Sequence, residues 1–273
     1  MKRYEVTNDY IFKKIFGKEG NEEILKDLLI SILEIPIKEI EVIHDSHLER
    51  TIEANKAGIL DIKATLNNNI TINIEMQVKD QYNMIDRSLY YWANLYSNGL
   101  YKREDYTENN KTIVINILAF NIFEDGPYHE KCMIKRDYNG ETLTEDLEMH
   151  FIQIPKAEKE KIRTTLDLWI RFIGNVKDEE VEKMKNEVNE ETKKAVMEAQ
   201  EQYWKIMADP ETRRIAELRE KAIRDEVTNL NGAKREGKKE RSIEIANKMK
   251  EMNMKIEDIE KATGLTKEEI ERL

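Results

Sequence analysis

The sequence predicts an α/β fold, a mixed sheet flanked by helices over about residues 1–155, followed by an all-helical tail. Three observations carry this. Ile59 to Lys79 alternates apolar and polar residues on two arms around Asn67-Asn68-Asn69, the pattern of a half-buried hairpin. A helical stretch and then a continuous apolar run, Lys111 to Asn121, follow it and complete a β-β-α-β unit. Strand periodicity stops at Pro155.

The elements follow in order. Thr7-Asn8-Asp9 offers capping residues ahead of a helix from Tyr10 to Phe16, and Gly17 stops it. A second helix runs from Asn21 to about Leu33, with Ile24, Leu25, Leu28, Leu29 and Ile32 at helical spacing, and Pro36 ends it. Ile40 to Glu49 reads as a strand. His44 and His47 lie three apart in it, so a strand points them to opposite faces, and they read as structural or surface residues rather than a shared metal site. Asn83 to about Arg103 reads as a helix. Arg87, Tyr91, Asn94 and Asn98 form a polar stripe on it, and Leu89, Trp92, Ala93, Tyr96 and Leu100 its buried side. Tyr90 and Tyr91 read as packing residues. His129 to Tyr138 and Leu147 to Ile154 are two further strands, with a turn at Asn139-Gly140.

The tail divides at residue 241. Residues 156–241 form a charged helical region: Ala157 to Ile173, Asp178 to about Ala208, a break at Asp209-Pro210, and a helix to about Val227. Lys234 to Arg241, KREGKKER, reads as a solvated helix or linker. Residues 242–273 form a small helical unit of helix-turn-helix type, with Thr266 and Glu269 as a capping box. Its last helix is acidic, which favours packing or self-association over reading base edges. Long charged helices gain stability mostly from packing, so the tail is expected to mediate a homodimer, the alternative being that it folds back on the core.

Bulk properties narrow the function. The single cysteine, Cys132, excludes an intramolecular disulfide framework and a Cys-rich zinc site. No apolar run reaches transmembrane length and the first residues lack a signal-peptide core, so a cytoplasmic location without membrane contact is expected. A net charge of −10 argues against a generic nucleic-acid binder but allows an enzyme with a local basic lining. Neither a phosphate-binding glycine loop nor a serine-nucleophile elbow is present.

The hairpin carries the chemistry. With Asn67–Asn69 as the loop, Leu66 lies opposite Ile70, and Asp61 opposite Glu75. Gln77 shares their face. Opposed carboxylates repel across a sheet unless a proton or a divalent cation holds them. Leu60-Asp61-Ile62 and Ile74-Glu75-Met76-Gln77, with Asn8 to Gly17 before them and Arg87-Ser88-Leu89-Tyr90-Tyr91 after, resemble one known group. It is the Rpn group of recombination-promoting nucleases or transposases in the PD-(D/E)XK superfamily, and the similarity spans roughly residues 5 to 125.

The resemblance implies a metal-dependent DNA endonuclease. Asp61, Glu75 and the Met76 carbonyl would hold Mg²⁺ or Mn²⁺. Gln77 stands where the superfamily usually carries Lys and would orient water through its amide. Arg87 would clamp a phosphate, its other reading being an ion pair with Asp86 or another partner. Asp9 is either a helix cap or a third acidic group near the metal. The contrasting reading is a catalytically inactive nuclease fold whose helical tail makes it an interaction module.

Overall fold

A computed structural model gives the fold and describes residues 5–43, 61–100, 105, 109–158, 163–174 and 188–273. His44, His47 and the expected strand beyond Ile43 lie outside the described residues, as do Leu60, Arg103 and Asp178. Two compact units divide the chain, Met1–Glu220 and Lys221–Leu273.

Six strands form one mixed sheet in the first unit. In chain order they are β1 (Ile40–Ile43), β2 (Asp61–Leu66), β3 (Ile70–Gln77), β4 (Lys111–Leu118), β5 (His129–Met133) and β6 (Leu147–Gln153). The spatial order is β1-β2-β3-β4-β6-β5. Strands β1, β2 and β3 run antiparallel, β3, β4 and β6 are parallel neighbours, and β5 closes the far edge antiparallel to β6. The two strands after residue 128 therefore extend the sheet. The hairpin turn matches its sequence. Asn67 and Asn68 both take left-handed backbone angles, which asparagine tolerates well, and Asn69 N–H donates to the Leu66 carbonyl at 3.1 Å.

Period-2 alternation splits the sheet into two faces. Ile62, Ala64, Leu66, Ile72, Ile74, Ile113, Ile115 and Ile117 point into the main core. Helices α1 (Asp9–Phe16) and α2 (Glu22–Leu33) cover that face with Phe12, Phe16, Leu25 and Leu29. Asn8, not Asp9, caps α1: its Oδ1 accepts from Tyr10 N at 3.2 Å and Ile11 N at 3.4 Å. The opposite face is covered by α3 (Met84–Leu100).

The expected buried side of α3 is corrected. Leu89 and Ala93 are exposed, while Met84 and Ser88 are buried, with Arg87, Tyr91 and Trp92 half-buried. The reason is what α3 rests on. The sheet face beneath it carries Asn73, Glu75 and Asn116, so the helix turns polar groups inward. Ser88 Oγ donates to Asn116 Oδ1 at 3.1 Å.

Helices beyond Pro155 belong to the same core. After the short α4 (Ile154–Ala157), α5 (Thr165–Ile173) starts at a Thr164–Asp167 capping box and buries Leu168, Trp169 and Ile173. Helix α6 (Glu190–Ala208) packs Val196, Ala199 and Tyr203 against α1 and α2. The first compact unit therefore takes in these helices and runs to residue 220. Helix α7 runs Pro210–Glu251 without a stop near Val227. Its internal Gly232 and Gly237 have open space around them, and a glycine costs a helix only about 1 kcal/mol relative to alanine. KREGKKER lies within this helix, exposed.

In the second unit α8 (Ile256–Thr263) and α9 (Lys267–Glu271) close a small core of Ala246, Ile259, Leu265 and Ile270. The Thr266–Glu269 capping box is formed.

One buried polar network sits on the core face at the β5–β6 edge. His129 Nε2 meets His150 Nδ1 at 2.8 Å, and His150 Nε2 meets Glu148 Oε1 at 2.7 Å. Lys111 and Lys131 both reach Glu148 Oε2, at 2.7 and 3.0 Å. Burial opposes the Glu148 charge, but hydrogen bonds from His150, Lys111 and Lys131 outweigh it and hold the carboxyl well below its ordinary range. Burial, with His150 and Lys131 alongside, pushes His129 down to about 4.

Two outcomes follow from this packing. Trp169 is fully buried, donates to Asp27 Oδ1 at 2.7 Å and meets Phe16 edge-on. Trp169→Ala should lower urea-measured stability by about 3–5 kcal/mol; a loss under about 1 kcal/mol would place α5 outside the core. His129 binds its proton less readily folded, at about 4, than unfolded at 6.5. Between those values the unfolded chain carries more protons, so stability rises with pH and is lost as pH falls from 6.5 to 4. His129→Phe should flatten that slope in urea titrations taken across the window. An unchanged slope would assign it to other groups.

Candidate functional site

The site forms where the hairpin meets α3. Asp61 opens β2 and pairs directly with Glu75 of β3. Both residues lie on the face under α3, because their partners on the core face are Ile62 and Ile74. Their environments differ. Glu75 is 2% exposed, while Asp61 is half-buried and has Lys63 Nζ 3.7 Å from its Oδ2.

Arg87 is the counter-ion. From the first turns of α3 its Nη2 makes a short ion pair with Glu75 Oε1, and its Nη1 donates to Gln81 Oε1 at 3.3 Å. Of the partners the sequence leaves open, Asp86 or another, the ion pair is made with Glu75. The guanidinium lies 5.8 Å from the Tyr91 ring centroid, one helical turn further on, in cation–π contact. Glu75 Oε2 is buried and has no partner. Burial raises the Glu75 pKa to about 7; Arg87 works against that and Asp61 adds to it. Tyr91 feels the same groups: burial raises its phenol, Glu75 and Asp61 reinforce the shift, and Arg87 opposes it.

The other expected residues are placed as follows. Gln77 is two residues beyond Glu75 and half-exposed, with its Nε2 donating to the Lys79 carbonyl at 3.0 Å. Met76 buries its side chain in the core on the far face. Asp9 accepts from Arg219 Nη2 at 2.8 Å and from Tyr10 N at 2.8 Å, which ties α1 to α7. Burial raises its pKa in spite of Arg219. So the fold brings Asp61, Glu75 and Arg87 together, with Gln77 next on the strand, and engages Asp9 with α7.

Tyr91 belongs to this group although its sequence reads as packing. The available signal was its spacing of four from Arg87 on the polar stripe. Asn73 was passed over too. Its odd number places it on the Glu75 face, and it is 1% exposed.

A divalent cation suits this arrangement. Among the described residues no three His, Cys, Asp or Glu side chains cluster as a complete metal cage. Two opposed carboxylates, one with a free buried oxygen, match an ion that takes one or two carboxylates and fills its shell with water and phosphate.

A family model described as PD-(D/E)XK nuclease family transposase matches residues 6–233, well over half of the chain. No curated protein and no solved structure matches it.

The charge on Glu75 gives a test that needs no substrate. Its folded pKa of about 7 exceeds the unfolded value of 4.5, so the folded state holds the proton more tightly. Stability from this group is present below pH 4.5 and lost as pH rises through 7. Glu75→Gln should remove that decline in metal-free urea unfolding between pH 5 and 8. The same decline in the variant would locate the titration elsewhere.

Proposed function

The chain belongs to the PD-(D/E)XK nuclease family transposases, and from that premise we propose that it is a divalent-metal-dependent DNA endonuclease. The observation that carries the reading is the Asp61–Glu75 pair, opposed in register, with Glu75 Oε2 unpartnered and Arg87 beside it.

The reaction is hydrolysis of a phosphodiester: water attacks phosphorus and the bond to one ester oxygen breaks. Asp61 and Glu75, with the Met76 carbonyl, would hold Mg²⁺ or Mn²⁺. When bound, such an ion acidifies water and offsets charge on the phosphoryl oxygens. Glu75 must be ionised to take part, and burial makes its proton hard to remove below about pH 7. Arg87 favours the ionised form and, steadied by Tyr91 and Gln81, is the cation at hand for a phosphate oxygen. Gln77 donates a hydrogen bond where a lysine would also bring charge. Asp9, held by Arg219, would act from α1 as a supporting acidic group.

DNA is the substrate class that the family supports. No described helix is long and apolar enough to cross a membrane, and a lone cysteine suits a reducing cytoplasm. A homodimer held through the helical C-terminal region is part of the reading, supported by the exposed Met252, Met254 and Leu273.

Plasmid and linear DNA incubated with Mg²⁺ or Mn²⁺ test the proposal. The parent should cut only with metal. Asp61→Asn should lose cleavage and the metal-induced rise in melting temperature while keeping its fold. Gln77→Lys should keep the thermal shift and cut at least as fast. Metal affinity should increase as pH rises through about 7, since Glu75 gives up a proton on binding. An Asp61→Asn protein that cuts like the parent would remove the site assignment. A parent with neither thermal shift nor cleavage would make the fold an interaction module.

A further inference from the structure

We propose that Asn73 belongs to the cation site, its side-chain amide holding water in the hydration shell of the ion that Asp61 and Glu75 bind. The inference rests on the reading above and adds a residue to it.

Asn73 lies two residues before Glu75 on β3, so both side chains stand on the face under α3. It is 1% exposed, and neither its Oδ1 nor its Nδ2 has a partner. Buried amides in folded proteins are almost always hydrogen-bonded, because desolvating them without a partner is costly. Of the seven buried side-chain polar atoms without a partner among the described residues, four come from one stretch. They are Asn73 Oδ1, Asn73 Nδ2, Glu75 Oε2 and Lys79 Nζ.

Among the described residues, the neighbouring groups are apolar or engaged elsewhere. Lys63, directly across on β2, reaches toward Asp61 instead. Val114, beside it on β4, is apolar. On α3, the single hydroxyl proton of Ser88 is shared between the Met84 carbonyl and Asn116 Oδ1, and Arg87 is spent on Glu75 and Gln81. An amide in such a place is no structural anchor.

The chemistry of the site supplies the missing partner. With two carboxylates, much of a magnesium ion's shell is water, and each of those waters has protons to donate. An amide oxygen accepts such a proton without adding a third negative charge to a pair that already repels. An amide N–H donates to a carboxylate or phosphate oxygen. Asn73 therefore orients hydration water as a positioning residue and makes no direct bond to the ion.

The full-length protein carrying Asn73→Val tests this by thermal melting and calorimetric titration with Mg²⁺ and Mn²⁺. Without metal the variant should melt at or above the parent, since an unsatisfied amide has been replaced by an apolar group of similar size. With metal its thermal shift should shrink and its affinity fall about tenfold. Asn73→Ala, read the same way, serves if valine prevents folding. A parent-sized metal response in the variant overturns the proposal. So does a lower metal-free melting temperature with an unchanged metal response, which marks a purely structural water. If the parent itself shows no metal response, the carboxylate reading falls and this one with it. A parental response that Asp61→Asn abolishes and Asn73→Val leaves intact refutes Asn73 alone.

Discussion

The Arg87–Glu75 ion pair joins helix α3 to strand β3, and the architecture of one sheet face depends on it. Glu75 sits in the second strand of a tight hairpin, across from Asp61 and beside Asn116 of β4. Without a cation above it, this buried carboxyl would face the like charge of Asp61 across the hairpin. Losing one partner of a buried pair leaves the other charge uncompensated, which typically costs about 3–5 kcal/mol. Arg87 therefore fixes the rotation of α3 as much as its apolar residues do. The Ser88–Asn116 bond continues the same seam, and Asn116 Nδ2 passes it to the His150 carbonyl on β6. A polar ridge thus runs from α3 into the middle of the sheet.

That ridge explains which parts of the fold were legible in the sequence. The hairpin and its register were, because period-2 alternation and three asparagines leave one solution, and the observed pairing of Asp61 with Glu75 follows it. The orientation of α3 was misread at Leu89 and Ala93. Hydrophobicity marks the buried side of a helix only when the surface beneath is apolar, and here that surface bears Asn73, Glu75 and Asn116. Tyr91 reads as a packing residue for the same reason: what identifies it is Arg87 on the preceding turn and the two carboxylates of the hairpin.

The tail is helical, as its sequence reads, and its helices up to residue 220 pack into the first unit. Val196 lies amid highly charged sequence, yet it is fully buried, as is Trp169 in the apolar run before it. Their partners are Phe16 and the outer surfaces of α1 and α2, which a linear pass along the chain does not bring near residue 169. Polar contacts add to the apolar ones. Asp27 of α2 accepts from Trp169 and from Thr192 of α6, and Asn8 donates to the Ala216 carbonyl of α7. Such long-range bonds tie the late helices to the first ones.

The distribution of charge bears on the proposed reaction. The whole chain carries −10, yet the candidate site holds Arg87 and Lys63 within reach of its two carboxylates. While Glu75 keeps its proton, below about pH 7, those cations leave one positive charge in excess; once it ionises they balance the two carboxylates. A divalent ion would then tip the local balance positive, and a phosphodiester would meet attraction there in spite of the net charge. With Gln77 in the lysine position, β3 itself carries no cation. On the proposed reading the positive charge for phosphate would come from the ion, from Arg87 on α3 and from Lys63 on β2, and β3 would contribute neutral hydrogen-bonding groups, Gln77 and Asn73. Fixed neutral groups orient water without competing with the ion for the carboxylates, which is the division of labour that a buried acidic pair requires.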